Sequence, residues 1–265
     1  MLAQYQKENL ERLQMRSFSE SKYSNVTALQ YYFYEEAKLD AGFYRVEYSF
    51  LSAFDKLGVL NSVLIVNKAT DLIRKFCDKY SVSLQIEEKL RVGSSKSLCI
   101  DIISNMHKRF STEYLLMIQP DGIVAESNLG DFLGKYDYIG APWGGRSVWY
   151  DFYSPRKYSV GNGGFSLRSH EICSAASARY GKFWRHLPYF WTIMGDDVFF
   201  CKTLPFFDRS YAAKYKIAPP EEAAKFSVEH MTEYHRNLKR VFGFHAEVGF
   251  ENYLKISSRQ NFKND

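Results

Sequence analysis

Hydrophobic positions along the chain change period several times, and each change marks an element. Residues 1–24 are polar and charged, with sparse apolar positions at Leu2, Leu10 and Leu13, and predict an N-terminal helix or arm outside the main core. Residues 26–33 (VTALQYYF) form an apolar, aromatic run that suits a strand. From Gly42 the spacing turns helical through Val46, Phe50, Phe54 and Leu57, and Gly58 follows as a stop. Residues 62–66 (SVLIV) read as a buried strand. Thr70 or Asp71 then caps a helix carrying Leu72, Ile73, Phe76, Cys77 and Tyr80. Residues 82–86 are a further short strand. Leu98, Ile102, Met106 and Phe110 repeat every four residues, and 114–118 (YLLMI) closes the series as a strand apolar on both faces.

Four strands interleaved with three helices imply an α/β fold with a mostly parallel sheet covered on both sides. Such sheets bind ligands beyond the carboxyl ends of their strands. That singles out Asn67 and Lys68 after the second strand, and the turn Gln119-Pro120-Asp121-Gly122 after the fourth. No GxGxxG follows the first strand and no GxxxxGK[ST] occurs, which argues against a dinucleotide-dependent dehydrogenase and a P-loop kinase. The second half is loop-rich and aromatic, without internal repeat or Pro- or Ser-rich linker, so one continuous domain is expected.

Composition adds a few exclusions. With 46% hydrophobic and 25% charged residues the chain is neither disordered nor collagenous. No apolar run reaches the ~18–20 residues of a membrane-spanning helix, and MLAQYQKENLERLQ lacks the apolar core of a secretory signal. Cys77, Cys99, Cys173 and Cys201 lie far apart with no CxxC, so a reducing cytoplasm is the expectation, without disulfides or structural zinc. The net charge of +5 is too mild to imply nucleic acid. Its distribution says more: residues 143–190 carry seven basic side chains (Arg146, Arg156, Lys157, Arg168, Arg179, Lys182, Arg185) against Asp151 and Glu171. A solvated surface and a face for an anionic ligand or lipid headgroups both explain that surplus.

Candidate chemistry concentrates at three places. Asp121 sits in a tight turn directly after the strongest strand, where a carboxylate holds either a divalent cation or a ribose, or merely bonds its own backbone. Gly161-Asn162-Gly163-Gly164 lets backbone N–H groups approach a ligand, although taken alone it reads first as a hairpin turn. Asp196-Asp197 stands before an apolar run. It reads as an N-cap and first-turn acid, or as a general base if one carboxylate faces a pocket. His245 ends FGFH, and no HExxH pair recommends a zinc site.

In order, the strings LLMIQPDGIV, YDYIGAPW, VGNGGFSLRS, GDDVFF and FGFH resemble the DUF5672 family of bacterial glycosyltransferase-like proteins, over roughly residues 110–246. The resemblance implies a GT-A-like (Rossmann-like) fold. Its expected layout is an N-terminal arm at 1–24, a glycosyltransferase domain at 25–255 and a tail at 256–265. Within the domain, 25–122 would bind the nucleotide and 123–255 would serve acceptor and catalysis. Gln119-Pro120-Asp121 occupies the place of the DxD metal motif, with the first acid replaced by Gln119. His245 resembles the C-terminal histidine that completes the metal or diphosphate site, so Asp121 and His245 are the implied ligands of Mn²⁺ or Mg²⁺. Asn67, Lys68, Gln119, Asp121 and Gly122 are the implied donor-binding residues. Asp196-Asp197-Val198 resembles Glu-Asp-Val, which makes Asp197 the base of an inverting transfer and Asp196 its helper. Trp143, Asn162, Gly163, Gly164, Phe165 and Arg168 are the implied acceptor and sugar contacts.

The resulting expectation is a nucleotide-sugar-dependent glycosyltransferase acting on a glycan or lipid-linked glycan in bacterial surface polysaccharide synthesis, cytoplasmic and peripheral at the inner face of the membrane. A sugar nucleotidyltransferase is one rival, although LQYYFYEE offers no glycine-rich, lysine-containing loop. A non-catalytic GT-A-like binding module is another, and Gln119 is its support.

Overall fold

The computed structural model describes residues 1–33, 36–90, 95–143, 160–182 and 195–259. Its centre is a six-stranded sheet in the order β3-β2-β1-β4-β9-β6. Strands β1 (Val26–Tyr32), β2 (Asn61–Val66), β3 (Ser83–Ile86) and β4 (Tyr114–Ile118) are parallel. β9 (Phe165–Ser169) runs antiparallel to β4, and β6 (Tyr138–Ile139) antiparallel to β9. Every residue of β1 and β4 is buried, as continuous apolar runs in a doubly covered sheet must be.

The intervening helices follow the sequence pattern. α2 (Glu36–Leu57) buries Phe43, Val46, Phe50 and Phe54 and stops at Gly58, whose φ of +79° a side chain would strain. α3 (Asp71–Tyr80) is capped by Thr70, whose hydroxyl accepts from the Ile73 N–H. α4 (Ser95–Asn105) is shorter than its apolar spacing suggests, because Met106–Lys108 tightens into a 3₁₀ turn before Phe110. α1 (Leu2–Gln14) forms as expected but lies inside the core rather than beyond it. Leu2, Leu10 and Leu13 are buried in the same cluster as β1 and α2, and the buried Gln6 donates to the Pro120 carbonyl at 2.8 Å.

The second half adds what the first cannot supply. A small sheet pairs β11 (Gly243–His245) antiparallel with β5 (Gly122–Val124) and parallel with β10 (Ser227–Val228). Its register sets His245 opposite Gly122, and so beside Asp121, across 124 residues of chain. The glycine run is no hairpin. β8 (Val160–Gly161) leaves to pair with β7 (Ala141–Pro142), while β9 enters the main sheet. α5 (His170–Lys182) follows β9. All four cysteines are buried and none is in a disulfide, and among the described residues no helix is long and apolar enough to cross a membrane.

On the face of the sheet towards α4, Asp101 accepts two bonds from Arg109 Nη2, at 2.8 and 2.7 Å, and one from the Tyr31 hydroxyl at 3.0 Å. Removing one partner of a buried ion pair leaves the other charge uncompensated. Asp101→Ala should therefore cost about 3–5 kcal/mol, read as a lowered urea midpoint at unchanged slope.

Candidate active site

Two clusters of polar side chains flank the glycine run, and backbone geometry builds each. The turn after β4 is clamped from several sides. Gln119 N–H donates to Gly164 O and Gly122 N–H to Gln119 O, both at 2.7 Å, and the Ser49 hydroxyl sits between the Gln119 and Gly122 carbonyls. Ala246 N–H donates to Asp121 O at 3.0 Å. Ala246 adopts a φ of +64°, a left-handed conformation that costs a residue with a Cβ about 1–2 kcal/mol. That strained residue fixes the direction of His245 immediately before it.

In this first cluster, His245 Nε2 lies 3.1 Å from Asp121 Oδ1 and 3.2 Å from Gln119 Oε1. Its Nδ1 faces Glu229 Oε1 at 3.6 Å, too far for a hydrogen bond. Burial by itself would lower the imidazole pKa, but the Asp121 and Glu229 carboxylates outweigh it and push it up to about 9. Burial likewise acts to raise Asp121, and the His245 contact overcomes it, so that carboxyl lies below its ordinary value. Among the described residues no three His, Cys, Asp or Glu side chains converge as a metal cage. A carboxylate oxygen, an imidazole nitrogen and the Gln119 amide oxygen do meet here, and this donor set suits Mn²⁺ or Mg²⁺ if a ligand's oxygens complete the shell.

The second cluster is the acid pair at the start of α6 (Asp196–Val198), which runs on through a π-helical stretch, Phe199–Thr203, into α7 (Leu204–Phe207). Asp196 turns inward, where its Oδ2 accepts from Arg168 Nη2 at 2.6 Å. Asp197 stays half-buried. Its Oδ2 accepts the Asn162 N–H and its Oδ1 the Val198 N–H, each at 2.8 Å. Burial first, then the Asp196 charge, pushes its carboxyl up to about 6.

The glycine run joins the two clusters, because side chains have no room there. A Cβ on Gly164 would stand 2.2 Å from His245 Nε2 and 2.7 Å from Gln119 Oε1. One on Gly163 would stand 2.5 Å from Asp196 Oδ1. Asn162, at a φ of +73°, closes the turn by accepting the Gly164 and Phe165 N–H groups with Oδ1. The Trp143 indole lies against Gly161, with the Lys202 ammonium 4.6 Å from its ring centre.

Residues 93–245, more than half of the chain, match the family described as "Protein of unknown function (DUF5672)". The chain belongs to the DUF5672 family. No curated protein is similar to this DUF5672 chain in sequence. Solved structures are similar in fold. Core-mannan synthase A from Aspergillus fumigatus, in its Mn/GDP form, superposes with a TM-score of 0.51 at 10% identity, over 76% of this chain and 74% of that one. The mannosyltransferase PcManGT from Pyrobaculum calidifontis, in complex with GDP-mannose and Mn²⁺, gives a TM-score of 0.40 at 13% identity, over 84% of this chain and 63% of that one. The DUF5672 chain thus spans under two thirds of that mannosyltransferase. The fold is GT-A-like, with its mostly parallel sheet between helices.

Within this DUF5672 fold the anticipated residues divide. Gln119, Asp121, Gly122 and His245 come together, as do Asn162, Gly163, Asp196 and Asp197. Gly164 touches the first group. Asn67 and Lys68 lie at the same end of the sheet, but β1 separates β2 from β4, about 10 Å away. Two anticipated contacts do not fit. Phe165 is fully buried and packs on Phe226 and Phe242, so it belongs to the core and not to a sugar. Arg168 has no exposed surface, so it holds Asp196 rather than an acceptor. Of the basic segment, Arg146, Arg156, Lys157 and Arg185 lie outside the described residues, as do Trp149, Tyr150, Trp184 and Trp191. Sequence reasoning passed over Glu229, a lone acid in SVEHM. Its nearness to His245 follows from β10–β11 pairing, which leaves no motif.

Two outcomes follow. In EDTA-treated protein the His245 imidazole should titrate near pH 9 by two-dimensional NMR. Because this folded pKa exceeds the ordinary 6.5, its stabilisation is complete below about pH 6.5 and is lost as pH rises through 9. Asp121→Asn should move the titration downward. Gly164→Ala should displace His245 and lower its pKa in a protein that otherwise keeps its fold by circular dichroism.

Proposed function

We propose that this protein is a glycosyltransferase that moves a sugar from a nucleotide-sugar donor to a hydroxyl of a glycan or lipid-linked glycan, with inversion at the anomeric carbon. One observation carries the reading. A polar cluster suited to a diphosphate and its cation meets the loop at Gly164, and a half-buried carboxylate of raised pKa meets the same loop two residues earlier, at the Asn162 N–H.

Asp197 is the general base. Its pKa of about 6 leaves it ionised at neutral pH yet basic enough to take an acceptor proton in the transition state. The Asn162 N–H fixes the direction of its free lone pairs. Asp121 and His245, with Gln119, hold the donor's diphosphate end. A divalent cation bound there would supply positive charge to the leaving diphosphate. Its binding would release the His245 proton, since a ligating imidazole is neutral. Trp143, half-buried over Gly161, offers an aromatic face for a sugar ring. Residues 25–122 would then form the nucleotide half and 123–255 the acceptor half.

The role in bacterial surface polysaccharide synthesis, at the inner face of the membrane, is the setting we infer. Four buried cysteines without a disulfide among them agree with a reducing compartment. The second reading, a GT-A-like module that binds without turnover, is favoured by Gln119 standing where a first acid would ligate a metal.

Thermal melting against UDP, GDP and their sugar conjugates, with Mn²⁺, Mg²⁺ or EDTA, tests the donor site. A native-state ligand must raise the melting temperature, and loss of the shift in EDTA would assign the cluster to a cation. Asp197→Asn should then lower turnover by roughly 10²–10⁴-fold while keeping the nucleotide shift. A nucleotide shift with no turnover under any condition would favour the binding module, and undiminished turnover in Asp197→Asn would remove the base.

A further inference from the structure

The acid pair leans on a side chain that no ligand reaches. Arg168 is wholly buried and spends its guanidinium on fixed partners. Nε donates to Ser166 Oγ at 3.0 Å, and Nη2 donates both to Asp196 Oδ2 at 2.6 Å and to the Gly163 carbonyl at 3.2 Å. The guanidinium carbon lies 5.1 Å from the Tyr138 ring centre and 5.0 Å from that of Phe200. A planar fork held this way has no second position open to it. The glycine run and the acid pair, which come from different parts of the chain, are therefore tied twice, by Arg168 Nη2 between the Gly163 carbonyl and Asp196 and by the Asn162 N–H on Asp197.

We propose that Arg168 and Asp196 form a positioning pair for Asp197. Arg168 ties Asp196 to the Gly163 carbonyl, which sets Asp197 against the Asn162 N–H on the same loop and anchors a fixed negative charge at its shoulder. Asp196 is thus no second acid in the reaction. It is a buried anion whose partner is structural, and Asp197 alone exchanges a proton. This assignment rests on the reading of Asp197 as base. Among the described residues, the charged or titratable groups facing Asp197 are Asp196 and Cys201 on its own helix, Arg168 from β9 and Tyr138 from β6. α4 also packs on this helix, but its Asp101 is committed to Arg109.

The Asn162 amide, hydrogen-bonded to Asp197 at 2.8 Å, reports that carboxyl directly. Protein labelled with ¹⁵N-asparagine is titrated by NMR without any substrate. The wild-type amide shift should follow a midpoint near pH 6. Asp196→Asn should lower that midpoint by roughly one unit, because the neighbouring charge is gone. Should that variant misfold with Arg168 left unpaired, Arg168→Met combined with Asp196→Leu leaves no uncompensated charge. The midpoint should fall by less there than in Asp196→Asn, because the Arg168 charge that lowers Asp197 leaves together with the Asp196 charge that raises it, and the shift amplitude should shrink as the loop loosens. An unchanged midpoint in folded Asp196→Asn, or an unchanged amplitude in the double variant, would overturn the positioning pair, and so would a wild-type amide that does not titrate. Failure of the base reading shows separately, as donor turnover surviving Asp197→Asn while the Asn162 titration keeps its dependence on Asp196.

Discussion

The absence of room for a Cβ at Gly163 and Gly164 governs the arrangement of this protein. The two residues are ~3.8 Å apart along the chain, yet one abuts Asp196 and the other abuts His245 and Gln119. Any side chain between the clusters would push them apart, and a reaction that needs a held diphosphate and a base at one sugar would lose its geometry. The rest of the second half serves this contact. β9 carries the segment into the main sheet, β11 brings His245 to it, and α6 brings the acids.

Charge is handled differently on the two sides. At His245 two carboxylates and an amide surround an imidazole that holds its proton to about pH 9, a site ready to exchange that proton for a cation. At Asp197 burial first, and then the Asp196 anion, raises the pKa, while the charge of Asp196 is matched by Arg168. On the proposed reading the first cluster would bind positive charge and the second would accept a proton.

The sequence makes the first half plain, because buried parallel strands must be continuous apolar runs and their helices must repeat every three to four residues. Val26 to Ile118 follows that rule with few departures. The N-terminal helix misleads: Leu2, Leu10 and Leu13 are too sparse to look like core, and the buried Gln6 makes a face that is apolar only in part. Asp121 is legible as a residue after a strand, but its pairing with His245 depends on the β5–β11 register, and no local spacing encodes that. The glycine run reads locally as a hairpin, because Asn-Gly favours one, and only the separate partners of β8 and β9 overrule it. Arg168 and Phe165 lie in a motif with the wording of a binding loop, and alternation alone does not say that both point inward.

The bond from Gln6 to the Pro120 carbonyl gives the amino-terminal helix a standing that its place in the chain conceals. That helix also meets the other side of the site, since the Leu2 N–H donates to Glu247, two residues beyond His245. An affinity handle fused here, or a shortened version begun after residue 15, would not be a neutral choice for a biochemist. It would unfasten the strap around the turn that carries Asp121, and a preparation made that way would report on a different molecule.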